Sequence, residues 1–452
     1  MVRNLTILCT AFFVSVAAGA VETDSAFHNQ FRQEIGGWIA ADATYSIYLP
    51  DGRTLWLFGD TFIGEVDENN AIIPGSKFIR NSAVIQDGEL LETLFTGSRT
   101  NPSDFILTLH PDSTWYWPDH GVVDDDTLRI FLAKFRTDPD GPPGFNFEHA
   151  GNDIANFTWP ELEFINTVPI RSHPENGVFY GDRILEDSGI LYIYGRRYDD
   201  PEWNIPYPHV ARAEKGDLIK QEWEYYNGQE WSADPLETKR INDFQVSQQY
   251  SVSTYRGKYI LLTQDIWLSP NIYSFTSDSP VGPWGSKRLV YTTPETEQDM
   301  FTYNAYAHPQ FDQDAKLLVS YNTNGDFWSI FQNVELYRPR FIRVPYMNMD
   351  YDFWPNGLEA TSSEMGFRSS IYPNPAKDRA LLTMELPAPA MVSIELLDMN
   401  GRVLQTIPPE NYNQGIHSHT LDMNLLPAGI YMCKIAFNAE THVIKVMKST
   451  HF

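Results

Sequence analysis

Cysteine is almost missing from this 452-residue chain: there are two, Cys9 and Cys433. So few exclude a disulfide-built scaffold and the four-ligand spacing of structural zinc sites. Basic residues are also scarce, 33 Lys+Arg against 59 Asp+Glu, for a net charge of −26. General nucleic-acid binding needs cationic surface to displace counterions from phosphates, so that class is excluded. After residue 20 no apolar run approaches the ~18 residues that cross a bilayer, and no membrane-spanning helix is expected. Helical periodicity is rare. No Gly-rich phosphate loop follows a strand, and no Gly-x-Ser-x-Gly elbow occurs. What is present is 42% hydrophobic and 14% aromatic, enough to fill a core without disulfides.

The start of the chain reads as a secretory signal peptide over residues 1–20. Arg3 supplies the positive charge, Leu5 to Val16 the apolar stretch, and Ala18-Gly19-Ala20 a small-residue cleavage site. Cleavage there removes Cys9 and leaves Cys433 without an internal disulfide partner. The expected product is exported and free of a membrane span.

Composition then divides the rest. All twelve tryptophans lie between Trp38 and Trp354, and beyond residue 370 the charges are 6 bases against 7 acids. Residues 344–369 lack strand alternation and contain Pro355-Asn356-Gly357, so they read as a linker. Residues 370–452 carry short alternating strands around turns such as Asp398-Met399-Asn400-Gly401-Arg402, the pattern of a small β-sandwich.

Residues 21–343 repeat a strand–turn–strand plan. Its apolar runs are Trp56-Leu57-Phe58, Leu128 to Leu132, Ile190 to Tyr194, Tyr259 to Leu262 and Leu317 to Tyr321. Five recurrences of a multi-stranded unit predict an all-β chain with a five-bladed β-propeller, a single large β-sandwich being the alternative.

The most informative segment is the first repeat. Between Gly36 and Thr61 two apolar strands flank Pro50-Asp51-Gly52, which suits a three-residue hairpin loop. If Leu49 pairs with Arg53, paired residue numbers sum to 102 and Asp42 lies opposite Asp60. Opposed side chains share a face with Cβ atoms roughly 4.5–5.5 Å apart. Two carboxyls at that distance raise the pKa of one of them. A protonated acid beside an ionised carboxylate is what glycoside hydrolysis needs. From the residues alone, Ca²⁺ binding and turn capping remain open beside catalysis.

Resemblances sharpen this. Tyr372-Pro373-Asn374-Pro375, Asp398 through Arg402, Leu426 through Tyr431 and Lys445 resemble the type IX secretion sorting domain of Bacteroidota. That resemblance implies the type IX machinery as partner, passage through periplasm and outer membrane, and release or attachment at the cell surface. Ser279-Pro280-Val281-Gly282-Pro283-Trp284 resembles the outer-blade turn of five-bladed glycoside hydrolases. Gly37-Trp38 through Asp42, Leu57 through Thr61 and Arg80-Asn81-Ser82 resemble a secreted propeller family of unknown function whose relatives include endo-D-arabinanases. In that wider group two first-blade aspartates are the proposed catalytic pair, and they correspond to Asp42 and Asp60.

A propeller places polar residues at inner-strand starts near its central funnel. The candidates for substrate binding are Arg80, Asn81, Trp117, His120, Glu175, Asn176, Gln249 and Asn304, with Asp119 and Tyr303 beside them. No cofactor is required by this reading. His308 is the candidate metal residue, since in arabinanase-like propellers an inner-strand histidine orients a central cation such as Ca²⁺. The expected function is hydrolysis of an extracellular, neutral polysaccharide by paired carboxylates. The alternative is a non-catalytic carbohydrate-binding propeller at the cell surface.

Overall fold

The computed structural model describes residues 20–32, 36–111, 113–140, 146–200, 205–266, 268–285, 287–298, 300–350, 353, 368–372, 376–386, 389–398, 402–437 and 440–448. The expected signal peptide, apart from Ala20, lies outside these residues, as do Pro373 to Pro375 of the sorting motif and most of the expected linker.

The long unit is a five-bladed β-propeller. Blade 1 consists of Tyr45–Tyr48, Thr54–Phe58, Ser82–Asp87 and Leu90–Leu94. Blade 2 consists of Thr114–Asp124, Thr127–Thr137, Phe147–Thr158 and Phe164–Pro169. Blade 3 is Phe179–Asp187, Ile190–Asp200 and Ile205–Glu214 with the short Glu224–Tyr226 and Trp231–Ser232 outside them. Blade 4 is Tyr250–Tyr255, Lys258–Gln264, Asn271–Ser277 and Arg288–Thr292. Blade 5 has Phe301–Ala307, Lys316–Asn324 and Arg340–Pro345, and its fourth strand comes from the start of the chain. Glu22 pairs with Arg343 and Thr23 with Ile342, which closes the ring.

The five apolar runs picked out in the sequence all fall on the second strand of a blade. Such a strand is covered on both faces, so it reads as continuous rather than alternating hydrophobicity. Successive side chains go to opposite neighbours. Leu55 and Leu57 pack with Leu128 and Ile130 of blade 2, whereas Trp56 and Phe58 pack with Leu318 and Phe341 of blade 5. The same alternation sends Phe131 toward Ile193 of blade 3, Tyr194 toward Leu261 of blade 4, and Ile260 toward Val319 of blade 5. One cluster therefore fills each gap between consecutive blades. The last one continues past residue 343 through Val344, Tyr346, Met349 and Phe353, so these residues belong to the propeller rather than to a linker.

The unit from Pro355 onward is separate. Its strands form a sheet of Arg368–Tyr372, Arg379–Leu386 and Gly415–Asp422 and a sheet of Val403–Tyr412, Ala390–Asp398, Gly429–Phe437 and Glu440–Lys448. A core including Leu382, Ile394, Leu421 and Ile435 lies between them. Cys433 is buried in that core, and burial pushes its thiol up to about 12, so it is inert filler.

Candidate functional site

The first hairpin folds in the register its turn dictates. Leu49 N–H donates to the Arg53 carbonyl at 2.9 Å, Gly52 takes φ +91°, and Tyr45 to Tyr48 pair with Leu57 to Thr54. The sum of 102 persists beyond the blade, where Ala41 pairs with Thr61 and Ala40 with Phe62. Between these two ladders the strand is broken. Ala43 and Thr44 adopt φ +73° and +57°, unusual values for residues with a Cβ. The break is held from outside: Gln249 Nε2 donates to the Ala43 carbonyl at 2.6 Å and Asn322 Nδ2 to Thr44 Oγ1 at 3.0 Å. Held strain of this kind gathers at functional sites.

Asp42 and Asp60 sit at this break. Asp42 N–H donates to the Asp60 carbonyl at 3.4 Å, and Gly59 N–H to the Asp42 carbonyl at 3.1 Å. Their side chains have different company. Tyr303 Oη donates to Asp42 Oδ2 at 3.0 Å, and the buried Tyr337 hydroxyl acts on the same carboxyl, favouring its ionised form. Burial, then the charge of Asp60, raises Asp42 to about 7, with the tyrosine hydroxyls pulling the other way. Asp60 instead accepts from Trp117 Nε1 at 2.9 Å and from Arg80 Nη1 at 3.3 Å on both oxygens. Burial raises its pKa, while Arg80 and Trp117 favour the ionised form. Its side chain is 19% exposed, so the pair is reachable from solvent. Arg80 is itself fixed: its guanidinium lies 4.4 Å from the Trp115 ring centre and its backbone N–H donates to Asp104 at 2.7 Å.

The structure thus brings Asp42, Asp60, Arg80 and Trp117 together. Trp117, a candidate for substrate binding, is a donor to Asp60. Gln249 is buried and acts on the backbone beside Asp42. Asn304, at φ +57° in an irregular stretch of its strand, follows Tyr303. Two expectations change. Asn81 is 1% exposed and its amide is spent on the backbone of Ile106 and Tyr116. Glu175 and Asn176 form part of the short helix His173–Asn176 instead of a strand start. Glu175 lines a separate hollow of about 330 Å³ with Arg171, Gln221 and Tyr225, and buried Asn176 caps the backbone of Val178. Asp124 is fully buried against Arg129 and Gly216 N–H. Sequence reading missed Tyr337, which lies 295 residues from Asp42 and carries no local signal.

His120 and His308 lie deeper. His308 Nδ1 meets Ser46 Oγ at 2.6 Å and its Nε2 meets Ser320 Oγ at 2.8 Å. His120 Nε2 contacts the Ser46 carbonyl at 3.0 Å and Arg183 Nη1 at 2.9 Å, and Ile184 N–H donates to its Nδ1. Burial, then the Arg183 charge, holds both imidazoles well below their ordinary pKa. Ca²⁺ takes carboxylate and carbonyl oxygens. Two engaged imidazole nitrogens, two serine hydroxyls and a nearby guanidinium do not fit that ion. Among the described residues no group of three or more His, Cys, Asp or Glu side chains could hold a metal.

Solved structures resemble the propeller. A Bacteroides ovatus protein, whose hydrolase assignment is itself provisional, superposes with a TM-score of 0.60 at 22% identity, over 72% of this chain and 90% of its own. More distant are a GH43_1 enzyme from Xanthomonas citri complexed with xylose and an exo-beta-1,3-galactanase from Phanerochaete chrysosporium with beta-1,3-galactotriose. The first has 16% identity, 71% and 92% coverage and a TM-score of 0.37; the second 12%, 96% and 99%, and 0.39. At such scores neither likeness bears on the chemistry of this chain. No curated protein matches it. The secretion system C-terminal sorting domain matches residues 370–449, so the small sandwich is an export module of the type IX kind. The sequence model of the domain of unknown function DUF5005 matches residues 24–354, and the chain belongs to that family.

Proposed function

We propose that the propeller is a glycoside hydrolase acting outside the cell on a neutral polysaccharide. Asp42 is the general acid and Asp60 the base or nucleophile. The observation that carries this reading is the unequal environment of two neighbouring carboxyls. Asp42 has neutral tyrosine hydroxyls as side-chain partners and a pKa raised to about 7, so it keeps a proton near neutrality. Asp60 is gripped by a guanidinium and an indole N–H, which favour a carboxylate. Environments that push two carboxyls apart in this way divide acid from base. Asp42 would protonate the departing glycosidic oxygen, while Asp60 attacks the anomeric carbon or activates a water.

Charge supports the substrate class. Without the signal and the tail, residues 21–369 hold 26 bases and 52 acids. A field of that sign repels polyuronates and leaves neutral glycans the better ligands. The sorting domain delivers the enzyme to such polymers, released or held at the surface.

The test is reducing-sugar release from a panel of polysaccharides by the purified propeller. Asp42→Asn and Asp60→Asn, each shown to be folded by circular dichroism, are expected to lower kcat/KM by about 10² or more. Parental rates in both variants refute the assignment. Glycan retention without new reducing ends in the parent would make the domain a binding module instead.

A further inference from the structure

A row of half-buried aromatic side chains begins at the acid pair and crosses from blade 2 to blade 3. Trp117, whose indole donates to Asp60, has its ring centre 5.1 Å from that of Phe147. Phe147 lies 5.6 Å from Phe135, Phe135 is 5.6 Å from His149, His149 is 4.5 Å from Phe179, and Phe179 is 5.8 Å from Tyr198. All six are partly exposed. None belongs to the clusters that fill the gaps between blades among the described residues.

We infer that this row is the track along which an extended, neutral glycan chain lies, with several sugar rings bound on the blade 2 and 3 side of the cleavage point. The inference rests on the acid-pair reading for what happens at Asp60, and adds the substrate form: a chain of several sugars rather than a lone monosaccharide glycoside. Continuity identifies the occupant, because anything lying on Phe147 and Trp117 arrives at the carboxyl that Trp117 holds. The apolar C–H faces of sugar rings suit aromatic platforms, with polar groups at the edges fixing orientation. Trp117 also meets Phe135 directly, ring centres 4.4 Å apart with Phe147 against both, and from Phe135 the row passes through His149 and Phe179 to Tyr198 of blade 3.

The experiment is affinity electrophoresis of the purified full chain through gels cast with linear arabinan, arabinogalactan, xylan or polygalacturonate. It is run with the parent and with Asp42→Asn to separate binding from turnover. At least one neutral polymer is expected to retard both equally. Phe147→Leu and Tyr198→Ala should weaken that retardation about tenfold each, the loss of roughly 1.4 kcal/mol of stacking, while Tyr198→Phe keeps it. The leucine variant preserves bulk, and thermal unfolding confirms that both variants fold. Parental retardation in Phe147→Leu and Tyr198→Ala overturns the track, as does retardation by polygalacturonate alone or by no polymer. If neutral polymer binds through the row but the parent releases no reducing ends, the track stands and the acid-pair reading falls. If reducing ends appear while the row variants bind normally, the reverse holds.

Discussion

Asp42 and Asp60 are bonded to each other through their backbones, yet their carboxyls are held by opposite kinds of partner. The Asp42 N–H reaches the Asp60 carbonyl at 3.4 Å. From there one side chain turns to Tyr303 and Tyr337 of the last blade region, the other to Arg80 and to Trp117 of blade 2. One hairpin thereby carries an acid suited to stay protonated and an acid suited to ionise.

The pH profile follows. A general acid must hold its proton, so kcat/KM should fall as pH rises through about 7, where Asp42 ionises. Tyr303 donates to Asp42 and favours the carboxylate, so Tyr303→Phe should move this alkaline limb to higher pH. A limb that stays in place in Tyr303→Phe assigns the acid to another group.

Arg80 governs the opposite limb. Arg80→Gln removes the cation that favours ionised Asp60, so Asp60 should titrate at higher pH and the acidic limb should shift upward. At pH 5 the loss in kcat/KM is expected to be about tenfold or more, shrinking toward pH 7. A loss uniform across pH would mean that Arg80 serves only substrate binding.

Much of this was readable in the residues, for reasons that can be located. The turn at Pro50-Asp51-Gly52 sets a register, and a register is arithmetic, so the Asp42 and Asp60 pairing follows from the loop. The five doubly covered strands announce themselves because both faces are apolar. What sequence could not show is what arrives from elsewhere on the ring. Tyr303, Tyr337 and Gln249 come from more than 200 positions away, and the break at Ala43-Thr44 exists because those segments hold it. Asn81 was misread because a polar residue beside Arg80 looks like a ligand contact until its backbone partners are seen.

Asp42 should also cost the fold stability. Its pKa is raised in the native state, so the native state binds the extra proton between about pH 4 and 7. Stability contributed by that carboxyl is complete below about 4 and is lost as pH rises through about 7. Asp42→Asn removes the ionisation, so its Tm should exceed the parental value at pH 8 and approach or fall below it at pH 4. A Tm difference independent of pH would show that Asp42 is not raised.

Gly59 supplies the most local test of the geometry. A Cβ built there would lie 2.7 Å from Asp42 Oδ1 and 3.6 Å from Trp117 Cδ1. The first contact is closer than side chains tolerate, and the group in the way is a carboxyl that can rotate rather than backbone. Gly59→Ala should therefore fold, with a Tm drop of a few degrees corresponding to about 1 kcal/mol. The displaced Asp42 carboxyl would lose its alignment with Tyr303 and with the leaving oxygen. Misplacement on the order of 1 Å can cost about 10² in rate, and kcat/KM should fall by that order. Glycan retention in Asp42→Asn and Gly59→Ala should match, because the substitution moves the acid and not the aromatic row. A Gly59→Ala enzyme with parental kcat/KM would mean that the position of the Asp42 carboxyl does not matter to the chemistry.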